Sequence, residues 1–430
     1  MEKQTHPEKD NQQIEPNGVV SNETGKDPKT ENQGIKQVNE QNNGDKKPKS
    51  KRAMWIIIVI VAIILVLIAL AYGYLQSKLN KLNQTEIAPG DIQSNNLSTE
   101  QTILMGDYTQ IALFGVDNRS NGNYGSGNSD TIMIVSVNNK TQEVQIVSVY
   151  RDTYLRTHDD YFAKANSAYA YNGAVGGISM LNTNLDLNIS QYVTVDWYAV
   201  VKTIDLLGGV DIQITDLERQ KINEYIREVE QVTGVQTNRL QETGVVHLDG
   251  VQAAAYMRIR KLAGDDYKRT QRQRIVIENT FEKVKKADIG TLNTIVDEIF
   301  PMIETNLKLK DILGLAVNVG RYEIEGTTGF PFEKTTTSLA GIGDCVIPIT
   351  LERNVSELHT YFFEEEQLVS EEVLQISQEI IDRTGLDIGT SDIDTDSYIT
   401  GGEIDDTTHM SDPEDMDDTN AGNDVNEMDY

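Results

Sequence analysis

The hydrophobic pattern divides the 430-residue chain into two polar ends, one long apolar run and a patterned middle. Residues 1–52 contain almost no aliphatic clusters, so they cannot bury enough apolar surface to offset their chain entropy. Residues 366–430 are acidic, and we predict that they are mostly disordered for the same reason. In residues 108–365, strand-like and helix-like stretches alternate. We therefore predict one folded domain between two disordered tails.

The apolar run, Ala53–Leu75, carries no charge. About 20 residues at 1.5 Å each cross the hydrocarbon core as a helix. A buried core helix is rarely so long without a polar face, and a cleaved signal peptide needs a shorter run and a small-residue cleavage site. Five cations stand in residues 46–52, and the positive-inside rule keeps such a flank cytoplasmic. We predict a single-pass cell-membrane protein with a cytoplasmic tail at residues 1–52, a polar stalk at residues 76–107 and an extracellular domain.

The middle of the chain carries period-two strand signals and helix signals in turn. This alternation indicates the α/β class, and we expect a three-layer α/β/α domain with a central mixed β-sheet. Strands are predicted at Gln110–Val116, Thr131–Asn138, Glu143–Tyr150 and Gln191–Trp197, and helices at Tyr198–Gly209, from a cap near Asp249 and at Thr270–Lys286.

The chain has 67 acidic and 38 basic residues, a formal charge of −29. Fifteen of the acids lie in residues 386–430, which have no Lys or Arg. The acidity is thus mostly a property of the C-terminal end. Cys345 stands alone and has no intramolecular disulfide partner, so we expect it to be a small buried hydrophobe.

Against this acidity, residues 256–274 hold seven Lys or Arg. Arg258 and Arg260 would point the same way on an extended segment, whereas on a helix they would not. Arg269 and Gln273 are four residues apart near a helix N-terminus, which favours anions. Arginine suits bidentate phosphate recognition. A solvated basic face is the alternative, and we prefer it for the remaining cations, Lys261, Lys268, Arg272 and Arg274.

A second set of charged residues surrounds three predicted strand ends. Asp117 follows the first strand, Asp130 precedes the second, and a hairpin returns the third strand, with Arg151, to the same edge. Two carboxylates at such an edge can share Mg²⁺ with substrate phosphates, although loop Asp residues more often serve in turns. Arg119, Asp152 and Lys164 lie close by in sequence. The spacing predicts an extracytoplasmic phosphate or pyrophosphate site with a metal, and no nucleic-acid partner.

Several stretches resemble, in order, the motifs of the LytR–CpsA–Psr family. They are "LFGVDNR", "NSDTIMIVSVN", "VQIVSVYRDTY", "KANSAYAYNGAVG", "VDWYAVVKTIDLLGGVDI" and "HLDGVQAAAYMRIRK" followed by "GDDYKRTQRQR", and the region "VIPITLERNVSELHTYFF" resembles the usual end of these proteins. Tyr150 departs from the pattern, because the family often has Pro there. The resemblance implies a membrane-anchored phosphotransferase of Gram-positive envelopes that depends on Mg²⁺ or Mn²⁺. Its donor would be an undecaprenyl-pyrophosphate-linked glycopolymer, such as teichoic acid or capsule. Its acceptor would be peptidoglycan N-acetylmuramic acid.

The resemblance also implies roles for individual residues. Asp117 and Asp130 would hold the metal and would be catalytic together with Arg151. Asp152 and Asp266 are further acidic positions of the pattern. The residues expected to bind the pyrophosphate are Arg119, Lys164, Arg258, Arg260, Arg269 and Gln273.

Two other functions use the same cations. A lipid-pyrophosphate hydrolase would have water as its acceptor, and a non-catalytic envelope-binding or regulatory protein would have none. The lipid of a polyprenyl donor would need an apolar groove below the phosphates. Ordinary core packing is our expectation for each of the candidate groove residues, Val193, Val195, Trp197, Val200, Val201 and Ile204.

Overall fold

A computed structural model describes residues 51–88, 90–116, 127–260, 265–365 and 368–388, with the side chains of 51–59 and 265–266 left aside. The predicted disorder of residues 1–50 and 389–430 lies outside this range. The strands are β1 (Asn83–Gln84), β2 (Tyr108–Val116), β3 (Ser129–Asn138), β4 (Glu143–Val149), β5 (Tyr154–His158), β6 (Tyr161–Lys164), β7 (Gln191–Asp196), β8 (Val210–Ile214), β9 (Gly244–Leu248), β10 (Ile303–Thr305), β11 (Glu323–Phe330), β12 (Lys334–Leu339) and β13 (Gly343–Pro348).

The helices surround these strands in chain order. They are α1 (Lys51–Leu79), α2 (Thr99–Gly106), α3 (Ser167–Leu185), α4 (Trp197–Leu206), α5 (Asp216–Thr233), α6 (Gly250–Met257), α7 (Asp265–Lys286), α8 (Ile289–Ile299), α9 (Leu309–Asn318), α10 (Leu351–Phe363) and α11 (Glu371–Thr384), with one 3₁₀ turn at Phe300–Met302. The four strands predicted above match β2, β3, β4 and β7 within two residues at each end. The predicted cap at Asp249 is also present, since its side chain accepts a hydrogen bond from the Gln252 amide.

Helix α1 contains the predicted membrane span. Within the described residues, one helix is long and apolar enough to cross a membrane, and its window at Ile60–Leu79 has a mean hydropathy of 2.2 with none of it buried. A soluble core helix would hide such a surface, because exposed apolar area is unfavourable in water. The helix is therefore a candidate membrane anchor.

A seven-stranded mixed sheet forms the centre of the domain, in the order β1-β10-β7-β2-β3-β4-β11. β2, β3 and β4 are antiparallel neighbours, whereas β2 pairs with β7, and β4 with β11, in parallel. Side chains alternate across the sheet, so Ile132 and Ile134 of β3 join one core cluster while Met133 joins another. The first cluster packs under α3, α10 and α11, and the second under α7 and α9. The expected α/β fold, with a mixed central sheet between helices, is confirmed.

The predicted stalk at residues 76–107 needs correction. β1 is an edge strand of the central sheet, and α2 begins with a capping box between Ser98 and Gln101. Ile92 and Leu97 pack against the main core, and Met105 is buried. The apolar residues of this segment are too widely spaced to give a period, so their packing was not visible in the sequence.

The predicted domain end at residue 365 is also too early. α11 continues the fold, with Val373, Ile376 and Ile380 buried in the main core cluster. These residues recur at helical spacing among acids and glutamines, so the acidic composition of residues 366–430 concealed an amphipathic helix.

His359 of α10 provides a test of this packing. The side chain is fully buried, and its Nε2 lies 2.9 Å from the Leu185 carbonyl oxygen, to which it donates. Burial lowers the pKa of His359, although the Leu185 hydrogen bond and the Asp186 charge act in the opposite direction. Below about pH 6.5 His359 therefore binds a proton in the unfolded chain but stays neutral in the folded chain.

We expect stability to fall as the pH drops below about 6.5, and less so in His359→Gln, which keeps a donor for Leu185 but does not titrate. Thermal melting of the full chain in detergent micelles between pH 5 and 8 measures this. The two curves should run parallel above pH 7. Equal slopes below pH 6.5 would show that His359 does not contribute.

Candidate active site

Four strand ends meet at one edge of the central sheet, which we call the rim. Val116, at the end of β2, pairs with Ser129 of β3 on one side and with Asp196 of β7 on the other. Because β3 and β4 are antiparallel, the end of β4 returns to the same edge. The amide of Ser129 and the Asn166 carbonyl also meet here at 3.4 Å. The predicted convergence of Asp130 and Arg151 follows from this topology.

Arg151 lies between two carboxylates at the rim. Its Nη1 donates to Asp130 Oδ1 at 2.7 Å, and its Nε donates to Asp152 Oδ2 at 3.3 Å. Lys164 Nζ lies 3.1 Å from Asp152 Oδ1, and Arg260 Nη2 lies 3.9 Å from Asp130 Oδ2. Three predicted cations therefore share two carboxylates. Such alternation limits the repulsion between cations that a bound anion would otherwise have to offset.

Backbone hydrogen bonds fix these side chains from below. The carbonyl of Arg151 accepts from the Asn166 amide at 3.0 Å, just before α3. The carbonyl of Asp152 accepts from Val346 of β13 at 2.9 Å. The segment between β4 and β5 is thus held at two consecutive residues, and Lys164 reaches it from the end of β6.

The extended alternative, in which Arg258 and Arg260 would point the same way, does not hold for Arg258. Arg258 ends α6 in helical geometry rather than in an extended segment. Its Nη2 lies 2.5 Å from Glu228 Oε1, and its guanidinium lies 5.1 Å from the Trp197 ring. Arg258 therefore packs against the ring of Trp197, the first residue of α4.

Arg269 and Gln273 are both buried on α7, at 3% and 2% exposure. The first turns of this helix reach the rim, because the ring of Tyr267 lies 4.7 Å from that of Tyr150, the residue before Arg151. The predicted solvated face is wrong for two cations. Arg272 and Arg274 are each 6% exposed, and Arg272 pairs with Glu218 at 2.9 Å.

Some predicted residues lie outside the described part of the chain. They are Asp117, Arg119, Lys261 and the side chain of Asp266. Among the described residues, no group of three or more His, Cys, Asp or Glu is arranged to hold a metal ion. The carboxylate of Asp130 nevertheless provides the hard oxygen ligands that Mg²⁺ prefers, and it is 25% exposed at the rim. The donor chemistry of the rim therefore fits a divalent cation that completes its shell with phosphate oxygens.

Lys334 was missed by the sequence analysis. This residue begins β12 and is 3% exposed, and its Nζ lies 5.3 Å from the Tyr150 ring and 4.7 Å from the Tyr267 ring. Tyr150 itself is fully buried, and a Cβ at Gly329 would come within 2.1 Å of its hydroxyl. Within "PFEKTTT" a single Lys gives no sign of burial. Its burial depends on contacts with two aromatic rings that are far away in sequence.

An apolar cavity of about 360 Å³ lies below the rim. Val193, Val195, Trp197, Val200 and Ile204 line it, so ordinary core packing is not their whole role. Val201 does not line the cavity and belongs to the core cluster of α4, α5 and α6. The other walls come from β2, β3, α7 and the end of α8. Asp196 borders the cavity and accepts from the Ala199 amide at 2.9 Å, and burial raises the pKa of its carboxyl group.

A family model for LytR_cpsA_psr matches residues 71–343. The chain belongs to the LytR_cpsA_psr family. It is 27% identical over 262 residues to the polyisoprenyl-teichoic acid–peptidoglycan teichoic acid transferase TagU of Bacillus cereus. This alignment covers 60% of this chain and 79% of TagU. It is also 32% identical over 210 residues to biofilm regulatory protein A of Streptococcus mutans, in an alignment that covers 46% of this chain and 50% of that protein.

A crystal structure of a Streptococcus agalactiae protein shares the fold. It aligns with a TM-score of 0.53 at 23% identity, covering 64% of this chain and 93% of that protein. The mixed sheet with flanking helices is therefore the fold of this LytR_cpsA_psr member.

The rim predicts a strong coupling between Asp152 and Lys164, whose side chains are 12% and 25% exposed. In a double-mutant cycle with Asp152→Asn and Lys164→Gln, we expect a coupling free energy of about 1 kcal/mol. The more exposed pair of Lys140 and Asp107, at 71% and 44%, is the matched control and should couple less. Urea unfolding measures both cycles. A rim coupling no larger than the control would show that Asp152 does not hold Lys164 in place.

Proposed function

We propose that this protein is a membrane-anchored phosphotransferase that moves a glycopolymer from a polyprenyl-pyrophosphate carrier to N-acetylmuramic acid of peptidoglycan. One observation carries the proposal: a cluster of cations stands at the sheet edge where Val116, Thr131 and Asp196 line an apolar cavity of about 360 Å³. A polyprenyl pyrophosphate has the matching shape, with a dense anion on an apolar chain. The relative TagU is named as a polyisoprenyl-teichoic acid–peptidoglycan teichoic acid transferase, which supports the same reaction.

The C-terminal end of α1 contacts α8, one of the helices that line the cavity. Near the end of α1, Tyr74 donates to Asn293 Oδ1 at 2.5 Å, and Lys78 Nζ lies 2.5 Å from Asp297 Oδ1, both on α8. Ile299, at the end of α8, lines the cavity. With the N-terminus cytoplasmic and the domain extracellular, the cavity would lie near the outer membrane surface. The lipid chain could then enter without leaving an apolar environment.

The reaction consists of an attack by the acceptor hydroxyl on the phosphorus that bears the glycan. The bond from this phosphorus to the bridging oxygen breaks, polyprenyl phosphate leaves, and a phosphodiester joins glycan and peptidoglycan. Phosphoryl transfer depends mainly on positioning and on stabilisation of charge. Arg151 would contact the pyrophosphate oxygens with Lys164 and Arg260. Asp152 is a positioning residue, since it holds two of these cations.

Further ligands complete the proposed site. Asp130 and Asp117 would hold Mg²⁺, which neutralises phosphate charge when bound. The other pyrophosphate ligands we propose are Arg119, Arg258, Arg269 and Gln273. The hydroxyl proton would pass to a carboxylate at the rim.

The deciding experiment uses the full chain in lipid nanodiscs with a polyprenyl-pyrophosphate-linked saccharide, Mg²⁺ and peptidoglycan fragments. Mass spectrometry detects the joined product. We expect Arg151→Ala to lower turnover at least about a hundredfold, as the loss of a group that stabilises developing charge does. EDTA, which removes Mg²⁺, should abolish turnover by the wild type. Arg219→Ala, which breaks a surface pair with Asp216, is the matched control and should be as active as the wild type.

The alternatives have distinct outcomes in the same assay. Free polyprenyl phosphate without a joined product would identify a lipid-pyrophosphate hydrolase that uses water. Tight donor binding with neither product would identify an envelope-binding or regulatory protein.

The cavity yields a further prediction. Val200 on α4 lines it, and Val200→Trp would fill part of the space for the lipid chain. We expect the KM for a long-chain polyprenyl donor to rise about tenfold, and the KM for a short-chain donor to change little. Tyr198→Trp, on the same helix but outside the cavity lining, is the control. Equal effects on both donors would place the lipid elsewhere.

A further inference from the structure

A second cavity, which we call the polar cleft, lies away from the apolar one. Its volume is about 230 Å³, and its walls come from the β5–β6 hairpin, α3 and the segment before α2. The lining residues that matter here are Asp91, Arg156, Asp159, Tyr171, Asn172 and Ser179. Neither the pyrophosphate site nor the lipid cavity uses any of them.

An aromatic stack forms one wall of the polar cleft. The rings of His158 and Tyr171 are 3.8 Å apart and inclined by only 10°. Tyr171 is nonetheless 59% exposed. The stack fixes the plane of an aromatic ring that borders a polar space. Such a ring attracts the C–H groups of a flat, otherwise polar molecule, because its face carries negative charge and the C–H edges carry positive charge.

The polar groups of the cleft suit a ligand rich in hydroxyls rather than an anion. Arg156 and Asn172 offer donors, and Asp91, Asp159 and Ser179 offer acceptors. With one cation and two carboxylates, these residues carry a formal charge of −1, the opposite of what a phosphate requires. A neutral molecule with an apolar face and many hydroxyl groups matches both the ring and this lining. A pyranose sugar has these features.

The backbone of α3 is shaped at the same place. The helix is interrupted at Asn172 (φ −147°, ψ 40°) and Gly173 (φ 54°, ψ −146°). Glycine adopts the positive φ at position 173 with little strain. Such breaks in regular backbone geometry are concentrated at functional sites. The interruption falls between Tyr171 and the next turn, at the wall of the cleft. A regular helix would give Asn172 a different direction.

The β5–β6 hairpin joins the cleft to the rim. At its base, Tyr154 pairs with Lys164, which contacts Asp152, and near its tip His158 pairs with Tyr161. Tyr154 and His158 are four positions apart on β5, a distance of about 13 Å in an extended strand. A saccharide of a few rings could therefore occupy the cleft while its reacting end lies at the rim.

We propose that the polar cleft binds the saccharide chain of one of the two glycan substrates, with a sugar ring stacked on Tyr171. The identity of these glycans rests on the transfer reaction proposed above, whereas saccharide binding itself does not. Two sources share this chemistry, namely the peptidoglycan acceptor and the glycopolymer of the donor.

The test begins with binding, without turnover. A β-1,4-linked N-acetylglucosamine tetrasaccharide, which has the backbone linkage of peptidoglycan, is titrated by calorimetry into the full chain in nanodiscs. We expect Tyr171→Ala to weaken its binding at least about tenfold. Tyr161→Ala is the matched control. It also removes an exposed ring beside His158, at 56% exposure, but it does not line the cleft, and it should change binding less than twofold. Thermal melting confirms that both variants fold.

Turnover then separates the two sources. A rise in the acceptor KM of Tyr171→Ala, with kcat unchanged, assigns the cleft to peptidoglycan. A rise in the donor KM alone, without tetrasaccharide binding, assigns it to the glycopolymer. Unchanged binding and unchanged KM values would overturn the proposal. In Arg151→Ala, tetrasaccharide binding should persist after turnover is lost, so a failure of the transfer reaction and a failure of the cleft give different results. A second variant, Asp159→Asn, keeps the shape of the cleft and should weaken binding in the same assay.

Discussion

The pairing of Arg151 with Asp130 and Asp152 is the interaction on which the site depends. Cations gathered at one place repel one another, and partial burial strengthens that repulsion. The two carboxylates hold Arg151, Lys164 and Arg260 together in the absence of substrate. The same contacts fix the directions of the side chains before the substrate arrives. A phosphate would then meet a preorganised set of donors.

This arrangement requires a sheet edge at which several strands end together. β2, β3, β4 and β7 provide it, and the alternation of side chains along each strand directs apolar residues into the space below. Charge and apolar surface therefore lie only a few residues apart. In the function proposed above, the same edge is both the mouth of a cavity for a lipid chain and the binding surface for its headgroup.

The parts of this fold that depend on local sequence could be predicted, and the parts that depend on distant contacts could not. β2, β3, β4 and β7 have clear periods, and their order along the chain already brings Asp130 near Arg151. The burial of Arg272 depends on Glu218, and the burial of Lys334 depends on Tyr150 and Tyr267. Glu218 lies outside residues 256–274, and Tyr150 and Tyr267 are both far from Lys334 in sequence. From sequence alone, a cluster of cations is therefore predicted to be a solvated face, because the acidic or aromatic residues that bury it are not visible nearby.

Tyr150 shows how the domain accommodates a departure from the pattern of its own family. A proline before Arg151 would restrict the backbone there and would remove one amide donor. Here the Tyr150 amide donates to the Phe330 carbonyl at 3.0 Å, so β11 holds this position through a hydrogen bond. Gly329, beside it, leaves room for the tyrosine hydroxyl, and Tyr267 covers the ring from α7. The tyrosine therefore links β11 and α7 to Arg151, the residue that follows it. Rigidity that a proline ring would supply locally is supplied here by tertiary packing, in which Lys334 of β12 also lies over the Tyr150 ring.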